Sequence, residues 1–117
     1  MLHLIYTFRP TAAARADLPA FWRWVGERER WFYDGLDMAH APRWYVCTVG
    51  PGVHTLEHWI SFADEAGWGD YRREVSRRSA NPAWEQRRVE QDRWWDLLDA
   101  RLLNDAPLPT ARGDAKR

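Results

Sequence analysis

The chain has 117 residues, of which 45% are hydrophobic and 29% are charged, and this is the composition of one globular domain with a single modest core. Its 17 basic and 17 acidic residues give a formal net charge of zero, which provides no electrostatic case for nucleic acid or an anionic membrane as a partner. A single cysteine, no signal peptide and no apolar stretch of ~20 residues predict a cytoplasmic protein without a membrane span.

Tryptophan is unusually abundant for a chain of this length. There are nine tryptophans, and each is a large side chain with one N–H group that needs a partner when it is buried. A core of this size can hardly bury nine such rings completely. We therefore expect some of them to line a pocket or an interface.

The first half of the chain predicts a strand, a helix and a β-hairpin. Residues 2–8 alternate as a strand that is partly apolar on both faces. A helix is expected from an N-cap at Asp17 to Leu36, because apolar residues recur at helical spacings between them. Two β-rich segments, 43–49 and 55–62, flank a Gly-Pro-Gly turn and are close enough in sequence to pair as a hairpin.

The second half predicts helices followed by one ambiguous segment. Residues 64–78 are helical in pattern, and Asn81 followed by Pro82 is a typical start of another helix. Residues 94–103 fit either a helix or a strand by periodicity alone. A strand is favoured because three strands without a fourth would leave an unpaired edge beside the first strand. The resulting order is βαββαβ, a ferredoxin-like α+β fold, followed at 105–117 by a tail that we expect to be mobile.

Three short blocks of the sequence resemble a known superfamily. The blocks are Leu2–Pro10, Asn81-Pro82-Ala83-Trp84, and Asp99–Leu103 followed by Pro107. Over residues 1–104 the chain resembles the dimeric α/β-barrel superfamily, in particular its NIPSNAP-like proteins and more distantly its polyketide cyclases. The resemblance implies a four-stranded antiparallel sheet with helices on one face. It also implies a homodimer in which two sheets pack face to face, with a pocket between sheet and helices in each subunit.

Two histidines on predicted strands are the candidate catalytic residues, because histidine is the side chain best suited to proton transfer near neutral pH. His58 shares a strand face with Leu56 and Ile60. His3 lies in a pattern similar to that of the cyclases, in which this histidine lines the pocket. The first and third strands are neighbours in a ferredoxin-like sheet, so the two imidazoles would approach each other if both face the helices. The alternative is that both are hydrogen-bonded sheet residues without a chemical role.

Five further residues are candidates for substrate binding: Tyr6, Ile5, Trp22, Trp84 and Arg101. Trp84 stands where the cyclases have the second histidine of a His-Pro-Ala-His motif, and this departure argues against the same cyclase mechanism, since an indole N–H has no useful acid–base chemistry. Alternatively, Trp84 fills the core at the start of its helix. Arg101 would bind a carboxylate or phenolate if it faces inward, and would otherwise form a surface ion pair.

The histidines do not predict a metal site. His54 and His58 would lie ~13 Å apart along one strand, too far for two ligands of one ion. The sequence has no other cluster of histidine and cysteine, so we expect neither a metal nor another cofactor.

The resemblance implies a small-molecule enzyme of bacterial-type secondary metabolism. Such an enzyme would act on a hydrophobic or aromatic metabolite by cyclisation, dehydration or cofactor-free oxidation, with proton transfer by histidine. The alternative is a non-catalytic dimeric domain that binds a ligand or another protein. In either case the expected partners are a second copy of the chain and a hydrophobic or aromatic small molecule. A fold does not by itself specify a function, so the choice between the two functions depends on the residues of the site.

Overall fold

The computed structural model describes residues 1–109, and the last eight residues of the predicted tail, 110–117, lie outside the described part. The elements, in chain order, are β1 (Leu2–Pro10), α1 (Ala12–Ala16), α2 (Leu18–Tyr33), β2 (His40–Val46), β3 (Leu56–Phe62), α3 (Glu65–Ser79), α4 (Pro82–Val89), a 3₁₀ turn (Glu90–Arg93) and β4 (Trp95–Asn104). None of the helices in residues 1–109 is both long enough and apolar enough to cross a membrane.

The four strands form one antiparallel sheet in the order β2-β3-β1-β4, with the helices packed on one face. This confirms the predicted ferredoxin-like α+β fold. The strand predicted at the ambiguous segment is also confirmed, since β4 pairs with β1 from Leu2 opposite Asn104 to Pro10 opposite Trp95. A register shift between Thr7 and Phe8 interrupts this ladder.

Side-chain caps fix where the main helices begin. Asp17 accepts a hydrogen bond from the amide of Ala20 at the start of α2, and Asn81 accepts one from the amide of Ala83 at the start of α4. Both caps were predicted from the sequence and are confirmed. Helix α2 ends at Tyr33, earlier than predicted, and the chain then turns through Gly35 at φ +76°, a conformation that favours glycine.

The second strand is shifted towards the N-terminus relative to the prediction. It runs from His40 to Val46 instead of 43–49, so it includes Pro42. Proline is tolerated there because β2 is an edge strand and its register with β3 is irregular between His40 and Arg43.

The helix side of the sheet carries two packed clusters of buried side chains. One contains Phe8, Phe21, Trp24, Val25, Leu56, Trp94 and Trp95, and the other contains Leu2, Leu4, Phe32, Leu36, Ile60, Phe62 and Tyr71. Tyr6, at the middle of β1, packs against both clusters. The position between the clusters is where the fold leaves space for a site.

Candidate functional site

A cavity of about 440 Å³ lies between the sheet and the helices. Its wall includes Tyr6 from β1, His58 from β3, Arg28 and Tyr33 from α2, and Trp95 from β4. Apolar walls with a few convergent polar groups, in a volume of ~300–1,000 Å³, are typical of small-molecule sites. The cavity is therefore the candidate ligand site of the protein.

His58 is held in the wall by two hydrogen bonds. Its Nδ1 lies 3.0 Å from the carbonyl oxygen of Arg43, and its Nε2 lies 2.6 Å from the hydroxyl of Tyr33. A carbonyl only accepts, so Nδ1 carries the proton and Nε2 accepts from the Tyr33 hydroxyl. The ring is also stacked on Trp44, with 3.7 Å between centroids and 13° between planes. These contacts fix both the tautomer and the orientation of the imidazole.

Burial makes His58 a weak base. The side chain is only 1% exposed, and burial lowers its pKa to about 3, with a further lowering from the positive charges of Arg28 and Arg43. The imidazole is thus neutral at neutral pH. This environment does not produce the near-neutral titration expected of a catalytic histidine.

Three tyrosine hydroxyls converge on the cavity. Burial is the main cause that raises the pKa of Tyr6, Tyr33 and Tyr71, so all three remain phenols over the physiological range. Because Tyr33 directs its proton to His58, its oxygen can only accept further hydrogen bonds, and the side chains of Arg28 and Tyr71 are its neighbouring donors. The site therefore offers neutral hydrogen-bonding groups in an aromatic wall.

A buried arginine supplies the one cationic group deep in the wall. Arg28 is 7% exposed, and its guanidinium carbon lies 4.3 Å from the ring centre of Phe32 and 5.1 Å from that of Trp95. Both distances are within the range of cation–π interactions. The inner part of the cavity is therefore electropositive as well as aromatic.

His3 does not share this cavity with His58. In the antiparallel register Tyr6 is opposite His58, whereas His3 is opposite Ser61, and cross-strand partners point to the same face. His3 therefore lies on the face away from the helices, where its ring nitrogens bond to the side chains of Ser61 and Asp105, each at 2.7 Å. The two imidazoles therefore do not approach each other, because His58 faces the helices and His3 faces the opposite side of the sheet.

The substrate-binding candidates are divided between four parts of the molecule, and only Tyr6 of the five lines the cavity. Ile5 and Arg101 are cross-strand partners on the open face of the sheet, so the inward orientation considered for Arg101 is not the one observed. Trp22 is 39% exposed on α2. Trp84 packs on Trp31 and Phe32, beside a smaller polar depression formed with Arg77 and Arg78.

Most residues of the cavity wall were not predicted as site residues, and Arg28, Tyr33, Tyr71 and Trp95 are the most informative of them. A sequence signal existed for Arg28. The buried residues of α2 are Phe21, Trp24, Val25, Arg28 and Phe32, so the arginine occupies a position of the apolar stripe. A charged residue at such a position indicates a buried charge, which is rare without a function.

Residues 1–109 contain no group of three or more histidine, cysteine, aspartate and glutamate side chains placed to hold a metal ion.

Comparison with known proteins finds similarity at the level of structure. No protein-family model matches the chain, and no curated protein matches it. A NIPSNAP domain protein from Burkholderia xenovorans, described as uncharacterised, superposes with a TM-score of 0.66 at 18% identity, covering 92% of this chain and 96% of that one. The chain has the fold of the NIPSNAP domain.

Two further structures share this fold. A protein from Agrobacterium tumefaciens superposes with a TM-score of 0.66 at 16% identity, covering 92% of this chain and 95% of that one. HapK from Hahella chejuensis superposes with a TM-score of 0.61 at 17% identity, covering 95% and 98%. At these identities the likeness shows the fold alone, and the more distant resemblance to polyketide cyclases stays a prediction.

Proposed function

We propose that the protein binds a hydrophobic, aromatic small molecule in the cavity between sheet and helices. The observation that carries this proposal is the combination of an aromatic wall with the hydroxyls of Tyr6, Tyr33 and Tyr71 in one volume of about 440 Å³. Phe8, Phe32 and Trp95 provide surfaces on which a planar ligand stacks. The hydroxyls would orient its polar groups.

A catalytic role is the second candidate, and the hydrogen bond between Tyr33 and His58 favours it. A phenol held by an imidazole at a cavity wall is a pair through which a proton can pass. The low pKa of His58 makes the imidazolium costly, so the pair would act only when a bound ligand changes its surroundings. For this reason binding is the primary proposal, and proton transfer in a cyclisation, dehydration or cofactor-free oxidation is the alternative.

The test is a binding and turnover screen with polyphenolic metabolites, in which binding is followed by quenching of tryptophan fluorescence. Tyr33→Phe removes an acceptor that faces the ligand, so we expect affinity to fall about 3- to 10-fold, the value of one hydrogen bond. Tyr45→Phe is the matched control, because Tyr45 is an exposed residue paired with Glu57 on the open face. Equal affinities of both variants and the wild type would contradict the proposed site.

The same screen separates the two candidate functions. If the wild type forms a product and Tyr33→Phe abolishes this turnover while only weakening binding, the result supports the catalytic function. Ligands that bind without being converted support the binding protein.

We also propose that the partner is a second copy of the chain, bound through the sheet face that the helices leave open. This face carries Trp59, with Arg43 stacked 5.2 Å from its ring, and the exposed side chains of Tyr45 and Leu103, while Ile5 of the same face is already fully buried. An uncovered sheet face with aromatic residues is a typical interaction surface.

Light scattering after gel filtration should give twice the chain mass of 13.9 kDa at micromolar concentration. Trp59→Arg should shift the protein towards the monomer, because it places a second charge against Arg43. Val89→Arg, at an exposed position of α4, should leave the mass unchanged. A strictly monomeric wild type would refute the homodimer.

A further inference from the structure

Within the part of the chain that the structure describes, Arg28 is a buried cation with no anionic partner. Its Nε and Nη1 atoms are buried and form no hydrogen bond within residues 1–109. The groups that interact electrostatically with the guanidinium are the phenols of Tyr33, Tyr71 and Tyr6 rather than a carboxylate. A buried charge without a counter-ion costs several kcal/mol, because it has lost its hydration.

The contacts that Arg28 does make repay only part of this cost. Stacking against Phe32 and Trp95 holds the guanidinium in place and is worth ~0.5–2 kcal/mol per contact. A guanidinium keeps its charge in proteins, and it presents its N–H donors in one plane. The Nε and Nη1 donors therefore have no hydrogen-bond acceptor, and the charge has no carboxylate, among the described residues.

The other charges of the cavity lining largely cancel one another and leave the charge of Arg28 uncompensated. Its lining contains three arginines, Arg28, Arg72 and Arg88, against one carboxylate, Asp92. Arg88 is neutralised by an ion pair with Glu85, while Arg72 stacks over Trp68 with 5.1 Å between its guanidinium carbon and the ring centre. A concave site with this balance attracts anions.

We propose that Arg28 is the anchor for a carboxylate on the aromatic ligand, so that the cavity selects aromatic monocarboxylates over their neutral analogues. This inference rests on the proposed binding function and names its ligand class. The carboxylate would accept the free N–H donors of Arg28, and the aromatic body would extend along Phe8, Trp95 and Leu97. Ligand binding would supply the counter-ion that the fold itself omits.

The test compares 2-naphthoate with the neutral, nearly isosteric 2-naphthamide by calorimetric titration at pH 7. The wild type should bind the acid about 10- to 100-fold more tightly, the range expected for hydrogen bonds to a charged group. Arg28→Met should lose this preference, and its thermal unfolding shows whether it is folded. Arg23→Met, at an exposed position of the same helix, should keep the preference.

The comparison within the wild type does not depend on how the variants fold. Equal affinities for the acid and the amide would overturn the role of Arg28 and leave the proposed binding function standing. Binding of neither compound up to millimolar concentration would overturn both. A preference for the acid that survives in folded Arg28→Met would also overturn the inference, since another cation would then be responsible.

Discussion

His58→Asn is expected to remove a large part of the acid sensitivity of folding. The pKa of His58 is about 3 in the folded protein against about 6.5 in an unfolded chain. Between these values the unfolded state binds a proton that the folded state does not. The stabilising effect of the neutral histidine is therefore complete above about pH 6.5 and is lost as the pH falls towards 3, which amounts to ~3–5 kcal/mol.

Urea unfolding of wild type and variant at several pH values between 7 and 3 measures this effect. Asparagine provides an amide N–H for the Arg43 carbonyl but does not titrate, so its cost should be the same at every pH. The stability difference between wild type and His58→Asn should accordingly shrink by several kcal/mol towards pH 3. His54→Asn is the control: His54 is exposed and at φ +71°, which asparagine tolerates, and its difference from wild type should stay constant. A constant difference for His58→Asn as well would mean that the imidazole is not buried as described.

Trp95→Ala is expected to destabilise the fold by ~3–5 kcal/mol, the cost of deleting a large buried aromatic side chain. Trp95 is 3% exposed and stacks on Phe8 with 4.0 Å between ring centres, while Trp24 meets it edge-on at 4.8 Å. It also contacts the Arg28 guanidinium, so its loss removes a cation–π contact of that buried charge.

Trp22→Ala deletes the same side chain from an exposed position of α2 and should cost less than ~1 kcal/mol. Because both variants lose a fluorophore, unfolding is followed by far-ultraviolet circular dichroism. Similar losses for the two variants would contradict the placement of Trp95 at the centre of the aromatic cluster.

The alternation of side chains along the strands was sufficient to predict which face of the sheet carries His58, but not which face carries His3. Leu56, His58 and Ile60 share one face because side chains of a strand alternate, and that face packs on the helices. The face of His3 depends on the register between β1 and β3, and a shift of one residue reverses it. Because β1 is partly apolar on both faces, its pattern alone did not decide which face carries His3, and the approach of the two histidines remained conditional on both facing the helices.

The polar wall of the cavity depends on contacts that are distant in sequence. Tyr33 lies at the last residue of α2 and reaches His58, 25 positions later, only because α2 packs across the sheet at that point. Periodicity alone likewise left β4 open between helix and strand, and the strand was favoured by its long-range pairing with the edge of β1, which the structure confirms. Caps such as Asp17 and Asn81 were predictable, since a cap acts within three residues.

A crystal structure of the protein with bound 2-naphthoate would show directly where an aromatic ligand resides. We expect the naphthalene ring in the cavity between the sheet and helices α2 and α3, in contact with Trp95, with its carboxylate on Arg28 and the Tyr33–His58 hydrogen bond retained. A ligand bound on the open face of the sheet or at the Trp84 depression, with the cavity empty, would contradict this expectation.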